Sequence, residues 1–273
     1  MRYEMNAHDN RPIGIFDSGL GGLTSLKEAK RLLPHEDFVF FGDTARVPYG
    51  NRTREELIRF SEQNIRFLRS RDVKAVLVAC NTSDAMARAE MQKRFDLPIV
   101  GVIDPSAREA ASATLTGSVG VIGTHVTVTS GLFNLLIPLY NPLAQVTAVE
   151  TPKLVPLVES GKTRSADEET VAALNEYLAP FMGGMIDTLV LGCTHYPLLS
   201  GVIGELLPGV TLINSGAAAA RQLQQTLTQK NLLADRTEPG KTRFFVSGDP
   251  VSFARNGGAF LGEDLTGRVQ TGQ

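Results

Sequence analysis

Cysteine is scarce in this sequence, since only Cys80 and Cys193 are present among 273 residues. Two cysteines are too few for a disulfide framework or for a tetrahedral thiolate metal site, and a reducing compartment would keep both as thiols. Long apolar runs are also missing: no segment approaches a membrane span, and the polar first twelve residues lack a signal peptide's apolar core. We therefore expect a soluble, cytoplasmic protein without a bound metal.

Blocks of like charge are missing as well. The chain has 27 basic and 29 acidic residues, a formal net charge of -2, and no long run of one sign. Because nucleic acids and anionic membranes attract concentrated positive charge, we expect neither as a partner, and a small molecule fits better. The hydrophobic content of 42% and the chain length are sufficient for one large or two medium domains, and two domains are the starting hypothesis.

Short apolar runs bounded by Gly, Pro, Asp or Asn recur along the chain and are typical of buried strands. They cover residues 13–16, 38–41, 75–79, 99–103, 119–122, 146–149, 189–191, 210–213 and 244–246. Helical patterns lie between many of them, and Thr53 with Glu56, like Ser165 with Glu168, has the spacing of a capping box. Strands that alternate with helices predict an α/β fold with mostly parallel sheets.

The two halves of the chain repeat one another. The run VLVAC at 76–80 is matched by LVLGC at 189–193, and GIF at 14–16 by GVI at 120–122. Further matches pair 43–44 with 150–151, 47–48 with 155–156, 53–56 with 165–168, and 102–104 with 212–214. Because the matches keep one order and a nearly constant separation, they indicate two copies of one α/β unit with a cysteine at the equivalent position of each.

The last strand-like run, at 243–247, has no partner in this repeat, and we expect it to return to the first unit. The predicted domains are therefore 1–103 plus 216–273, and 104–215. Ligands in such folds bind beyond the carboxyl ends of the strands. If the two units face each other, both thiols point into one cleft between the domains.

The position of the two cysteines suggests chemistry, although a single cysteine is more often a small buried hydrophobe. Each follows an apolar strand and precedes polar residues that open a loop or helix. Since a helix N-terminus favours the thiolate, we expect exposed, reactive thiols with a lowered pKa. Two thiols related by a pseudo-twofold axis fit racemisation, in which one removes a proton from a carbon and the other protonates the opposite face.

Other polar residues near the strand ends are candidates to assist. A carbanion beside a carboxylate needs preorganised donors, which Asn81, Thr82, Thr194 and the backbone N–H groups near Ser18 could supply. Asp17 and His195 each lie close to one strand end, so each thiol has a possible ionisable assistant. The competing interpretations are a helix N-cap for Asp17 and a structural hydrogen bond for His195. The segment at 19–22 is better explained as a tight turn than as a nucleotide loop.

Two further segments have a structural and a functional interpretation. Tyr49 packs in the core or, with the Gly50 N–H, grips a carboxylate. Thr124 and Thr127 either bind the ligand or cap a helix.

Seven motifs along the chain match one known family. They are GIFDSGLGGLT at 14–24, GDTARVPYG at 42–50, ACNT at 79–82, GTHVT at 123–127, VPLVESG at 155–161, LGCTHYPLL at 191–199 and SGDP at 247–250. In these motifs the chain resembles the glutamate racemases of the cofactor-independent aspartate/glutamate racemase superfamily over nearly its whole length.

The resemblance implies that Cys80 acts on D-glutamate and Cys193 on L-glutamate, assisted by Asp17 and His195, without a cofactor. It implies that Glu159 is the acidic residue near the second base, and that a homodimer supplies D-glutamate for peptidoglycan. The substrate contacts that it implies are Asp17, Ser18, Pro48, Tyr49, Gly50, Asn81, Thr82, Thr124, Thr127, Glu159, Thr194 and His195.

The sequence departs from the family's usual pattern at Ser83, Asp84 and Thr151, where alanine, a small residue and cysteine are common. Because Asp84 is near the first thiol, its negative charge is expected to raise that thiol's pKa. Two alternatives stay open: a racemase of aspartate or another amino acid, and a two-domain protein that binds a small acid without chemistry.

Overall fold

The computed structural model describes residues 9–272. Residues 1–8 and 273 lie outside the described residues, and with them most of the polar amino-terminal segment and both extreme ends of the predicted first domain. Every strand pairing within the described chain is parallel. The prediction of an α/β fold with mostly parallel sheets is confirmed.

The strands form two separate sheets. They are β1 (Ile13–Asp17), β2 (Phe38–Gly42), β3 (Ala75–Val78), β4 (Ile99–Val100), β5 (Ser118–Gly123), β6 (Gln145–Glu150), β7 (Thr188–Gly192), β8 (Thr211–Asn214), β9 (Thr242–Val246) and β10 (Val269–Thr271). The first sheet has the order β10-β9-β2-β1-β3-β4, and the second has the order β6-β5-β7-β8.

Helices cover the sheets and connect their strands. They are α1 (Gly22–Leu32), α2 (Arg54–Arg69), α3 (Asn81–Arg94), α4 (Ile103–Ala113), α5 (His125–Thr129), α6 (Leu132–Tyr140), α7 (Leu154–Glu159), α8 (Glu168–Leu178), α9 (Ser200–Leu206), α10 (Ser215–Gln229) and α11 (Pro250–Leu261). Short 3-10 turns lie at Thr44–Arg46, Tyr49–Asn51, Ala179–Phe181 and Tyr196–Leu199.

The two sheets share one topology. Four strands of the first sheet, in the order β2-β1-β3-β4, correspond one for one to β6-β5-β7-β8 of the second. The central strands are buried along their whole length, as the apolar runs predict. The first sheet is extended by β9 and β10 beside β2. The repeat in the sequence is therefore a repeat of the fold, whereas the exact domain boundaries stay a prediction.

Three details of the sequence interpretation are wrong. The strand predicted at 99–103 ends at Val100, because the backbone turns into α4 at Ile103. The short edge strand β10 is not in the prediction. The second capping box does not form: α8 begins after Asp167, and the Ser165 hydroxyl instead donates to Glu205 at 2.5 Å.

The first capping box does form. The Glu56 N–H donates to the Thr53 hydroxyl at 3.2 Å, and the Thr53 N–H donates to the Glu56 carboxylate at 3.0 Å. These two bonds satisfy backbone donors that the first turn of α2 would leave without partners. On the buried face of α2, Ile65 and Leu68 pack against the first sheet, whereas Leu57 and Phe60 pack in a separate cluster with Cys80.

Candidate active site

Cys80 lies where β3 ends and α3 begins. It is the N-cap residue of α3 and has an extended backbone, with φ -71° and ψ 116°. Its thiol faces the Ser18 hydroxyl, with the sulfur and oxygen 3.8 Å apart. Tyr49 and Val126 pack in the same cluster, so side chains from both halves of the molecule surround this thiol.

The prediction that this thiol is exposed and has a lowered pKa is wrong. Only 6% of Cys80 is exposed. Burial and, after it, the negative charge of Asp17 raise the pKa of the Cys80 thiol to about 12, against the opposing effect of hydrogen bonds with Ser83 and Ser18. Desolvation of the charged form therefore outweighs the effect of the helix N-terminus. In the resting protein this cysteine is a proton donor.

Asp17 ends β1 and has no exposed surface. One carboxylate oxygen accepts a hydrogen bond from the Gly19 N–H at 3.0 Å, and the other has no hydrogen-bond partner among residues 9–272. Burial raises the pKa of Asp17, against the N–H of Gly19 and the positive charge of His195. Asp17 interacts electrostatically with both Cys80 and His195, so it lies between the two thiol sites.

Cys193 directly follows β7 and is only 7% exposed, so the expectation of an exposed thiol is wrong here too. Its sulfur lies 3.7 Å from His195 Nδ1, and His195 Nε2 lies 3.0 Å from a Glu159 carboxylate oxygen. The three side chains thus form a line from the buried thiol to Glu159, whose side chain is 44% exposed.

His195 carries a positive charge in this line. Burial alone lowers the pKa of the imidazole, but the hydrogen bonds with Cys193 and Glu159 and the charges of Cys193 and Asp17 outweigh burial and raise the pKa to about 10. The His195 ring also meets the Phe260 ring edge-on at 5.5 Å. The charged neighbour of Cys193 is therefore an imidazolium, whereas the charged neighbour of Cys80 is the carboxylate of Asp17.

Three threonine hydroxyls form a chain between the halves. The Thr82 and Thr124 oxygens are 3.0 Å apart, and the Thr124 and Thr127 oxygens are also 3.0 Å apart. The Thr124 hydroxyl also caps α5, which combines the two interpretations of this residue. Beside these three hydroxyls, neither polar atom of the buried Asn81 side chain has a hydrogen-bond partner among the described residues. Since a buried amide is costly to leave unpaired, Asn81 is available for a ligand.

The 3-10 turn at Tyr49–Asn51 follows Pro48 and carries two of the predicted contacts. The Tyr49 hydroxyl donates to Asp43 and accepts a hydrogen bond from Asn64 at 3.3 Å. The hydroxyl is therefore engaged within the protein. Gly50 lines an open cavity of about 340 Å³ that also includes residues of α5.

The glycine-rich segment brings the halves into direct contact. A side-chain Cβ at Gly21 would lie 2.1 Å from the Thr194 hydroxyl and 2.6 Å from His195 Nδ1. The Thr24 hydroxyl, one turn later, donates to the Thr194 carbonyl at 2.8 Å. The segment is thus a tight turn with close backbone approach, and it presses against the residues that follow Cys193.

The structure brings Asp17, Ser18, Cys80, Asn81 and Thr82 of one half together with the candidate residues of the other, namely Thr124, Thr127, Cys193, Thr194 and His195. Pro48, Tyr49, Gly50 and Glu159 lie around them.

Asp43 was missed by sequence reasoning. Its buried carboxylate accepts from Tyr49 and, at 2.7 Å, from Ser247. Its position directly after β2, the strand that pairs with β1 and aligns Gly42 with Asp17, was the available signal. Thr151, a departure from the family pattern, is also buried, and its hydroxyl lies 2.5 Å from the Tyr196 hydroxyl.

Between residues 9 and 272, no cluster of three or more His, Cys, Asp or Glu side chains has an arrangement that could hold a metal ion. No helix in that range combines the length and apolar character needed to cross a membrane.

Comparison with known proteins gives a consistent result. Residues 24–223 match the family described as Asp/Glu/Hydantoin racemase. A glutamate racemase from Geobacter metallireducens is 45% identical over 256 residues, which are 93% of this chain and 94% of that protein.

Two solved structures are similar over nearly the whole chain. A glutamate racemase isoform from Bacillus anthracis has a TM-score of 0.91 at 37% identity, covering 97% of this chain and 98% of that one. The glutamate racemase from Francisella tularensis, in complex with D-glutamate, has a TM-score of 0.87 at 34% identity, with coverage of 97% and 98%. The chain belongs to the Asp/Glu/hydantoin racemase family.

Proposed function

We propose that this protein is a glutamate racemase that interconverts L-glutamate and D-glutamate with two cysteines and no cofactor. The observation that carries the proposal is the placement of Cys80 and Cys193 at equivalent strand ends of two equivalent units, each beside its own ionisable group. The high identity to glutamate racemases supports glutamate as the substrate.

In the proposed reaction on L-glutamate, the Cys193 thiolate removes the α-proton and the Cys80 thiol protonates the opposite face. One C–H bond breaks and one forms, and the proton gained by Cys193 balances the proton lost by Cys80. The reaction on D-glutamate runs in reverse, with Cys80 as the base. His195 and Asp17 then return protons between turnovers, since each lies beside one thiol.

The carbanion intermediate requires stabilisation because the α-proton beside a carboxylate is very weakly acidic. We propose that the unpaired amide of Asn81 and the hydroxyls of Thr82, Thr124, Thr127 and Thr194 bind the substrate carboxylates and amine. Donors fixed before the reaction stabilise the developing charge without the cost of reorganising. Ser18 and the backbone of Pro48, Tyr49 and Gly50 complete the proposed contacts.

Glu159 has a supporting role in this proposal. Its contact with His195 Nε2 keeps the imidazole protonated and oriented with Nδ1 toward Cys193. Because the Glu159 side chain is 44% exposed, solvent screens much of this effect.

The wider setting is also proposed. D-glutamate made here would supply peptidoglycan synthesis in the cytoplasm, and the enzyme would act as a homodimer. The first unit comprises 1–103 plus 216–273 and the second comprises 104–215, in agreement with the membership of the two sheets. Analytical ultracentrifugation tests the dimer, for which a single monomeric species would be contrary evidence.

The decisive test is incubation with L-glutamate and, in parallel, L-aspartate in deuterated water. We expect loss of optical rotation and α-deuteration with glutamate, and little of either with aspartate. The reverse preference would make the enzyme an aspartate racemase. Tight binding of glutamate without exchange would instead identify a binding protein, and the racemase proposal would be abandoned.

A further inference from the structure

Asp84 is a buried carboxylate that the proposed reaction does not use. Its side chain has no exposed surface. One oxygen accepts hydrogen bonds from the Val102 N–H at 2.8 Å and the Ile103 N–H at 2.7 Å, and the other accepts from Arg88 Nε. The expected role of Asp84, a negative charge acting on the Cys80 thiol, gives way to a different one, because the carboxylate is engaged with the start of α4.

The bonded segment is the crossover between the two halves. Strand β4 of the first sheet ends at Val100, and α4 begins at Ile103 and packs against α6 and β7 of the second half. Val102, the N-cap residue of α4, has an apolar side chain that cannot cap the helix. Asp84 supplies the missing acceptor from another helix, where a carboxylate is also favoured by the helix dipole.

The fit between Asp84 and the crossover is tight. A Cβ at Gly101 would lie 2.1 Å from Asp84 Oδ1, so only glycine lets the backbone pass the carboxylate at this distance. Loss of the carboxylate would leave two buried N–H groups and a cavity beside the crossover.

The same residue is one helical turn from the first thiol. The Asp84 N–H donates to the Cys80 carbonyl at 2.9 Å, which closes the first turn of α3. The backbone of Cys80 is therefore fixed to Asp84, and the side chain of Asp84 is fixed to the segment that leads into the other half.

We propose that Asp84 is a positioning residue that holds the Cys80 thiol in register with the half that carries Cys193. The inference rests on the proposed function, since a two-thiol reaction requires both sulfurs on opposite faces of one carbon. A misplacement of about 1 Å at a reacting group can lower the rate by roughly 10²-fold. A small change at Asp84 should therefore lower the reaction rate, although no contact between Asp84 and the substrate is proposed.

The test compares full-length Asp84→Ala and Asp84→Asn with a control, Glu90→Gln. Glu90 lies on the same helix, and its side chain pairs only with Lys93, at 3.1 Å, among the contacts of the described residues. The alkylation rates of Cys80 and Cys193 by iodoacetamide are measured separately by peptide mass spectrometry. Values of kcat and KM for both glutamate enantiomers, and the melting temperature, are measured on the same samples.

For Asp84→Ala we expect the ratio of Cys80 to Cys193 alkylation to rise by roughly tenfold as the first turn of α3 loosens. We expect kcat/KM to fall by about 10²-fold, mainly through kcat. Asp84→Asn, whose amide oxygen still accepts from both N–H groups, should shift both values less. Glu90→Gln should match the wild type.

A wild-type alkylation ratio in Asp84→Ala overturns the proposal. So does an equal rise at both thiols, because that is the signature of general destabilisation. If Asp84→Ala does not fold, Asp84→Asn decides instead: a smaller rise in the ratio supports the proposal, and a wild-type ratio overturns it. A wild-type protein inactive on glutamate would refute the proposed function, while the alkylation ratio would still decide whether Asp84 positions Cys80.

Discussion

The two halves share their strand order but surround their thiols with opposite charge. In the first half, Cys80 lies near the buried carboxylate of Asp17, and burial together with that charge raises its pKa to about 12. In the second half, Cys193 lies 3.7 Å from a histidine whose pKa is raised to about 10, against the effect of burial, by its bonds with Cys193 and Glu159. At neutral pH the first thiol is therefore a proton donor, and the second lies beside a cation.

This difference teaches that a symmetric reaction does not need a symmetric site. Duplication of the unit places two sulfurs at equivalent strand ends, but a reaction cycle needs one protonated and one deprotonated sulfur at its start. The neighbours of the two sulfurs have opposite charge before the substrate arrives. Because Cys80 is protonated at rest, the proposed resting enzyme is ready for L-glutamate, whose turnover uses Cys80 as the proton donor.

Replacement of either thiol should have the largest effect. Cys80→Ser and Cys193→Ser should each lower kcat/KM for racemisation by roughly 10³-fold, because a hydroxyl is a much weaker acid than a thiol and is not ionised near neutral pH, so it serves neither as proton donor nor as base. Since enantiomers have equal free energy, kcat/KM should fall equally in both directions. Polarimetry from each pure enantiomer measures this, and near-wild-type turnover by either variant would contradict the two-base proposal.

Asp17→Asn should reduce the difference in charge between the surroundings of the two thiols. Removal of the buried negative charge lowers the pKa of Cys80 below its value of about 12, since that charge disfavours the thiolate. The pH dependence of Cys80 alkylation should shift to lower pH, and kcat should fall by about 10²-fold. An unchanged Cys80 profile would show that Asp17 does not act on this thiol.

His195→Gln tests the positive charge beside Cys193. The pKa of His195 is raised from its usual 6.5 to about 10, so its stabilising contribution is fully present below pH 6.5 and is lost as the pH rises through 10. We expect the wild type to exceed His195→Gln in melting temperature at pH 6 and to lose that lead by pH 10.5. In the wild type, kcat/KM should fall near pH 10 as His195 loses its proton, and this fall should be absent in His195→Gln. A pH-independent difference in melting temperature would contradict an imidazolium at this position.

The smallest expected effect is on stability. It distinguishes the capping box that forms at Thr53 from the one that does not form at Ser165. Thr53→Ala removes a hydroxyl that accepts from Glu56 and should lower the free energy of unfolding by about 1 kcal/mol. Ser165→Ala at the equivalent position should change it by less than about 0.5 kcal/mol, because Ser165 does not cap α8. Urea denaturation of both variants measures the difference, and equal losses would contradict the observed asymmetry.

Sequence patterns predicted the features that depend on local periodicity. The strands up to β9, the parallel α/β class, the repeat and the first capping box follow from apolar runs and residue spacing. The short strand β10, with mixed polar residues at the sheet edge, has no such signal. The placement of the candidate residues near strand ends was likewise readable, because ligands gather there in this class of fold.

Contacts between residues far apart in the chain could not be predicted from the sequence. Burial of both thiols depends on the approach of the two halves, which spacing along the chain does not reveal. For the same reason Asp84 was assigned to the thiol beside it in sequence, whereas its carboxylate binds Val102 and Ile103. Asp43 was missed because its partners Tyr49 and Ser247 come from separate segments.

Gly21 has a consequence for how this protein can change. Because the Thr194 hydroxyl and His195 Nδ1 occupy the space of its missing side chain, even one added methyl group would act as a wedge between the halves. A position that takes no part in the proposed proton transfers thereby becomes one of the least replaceable in the chain.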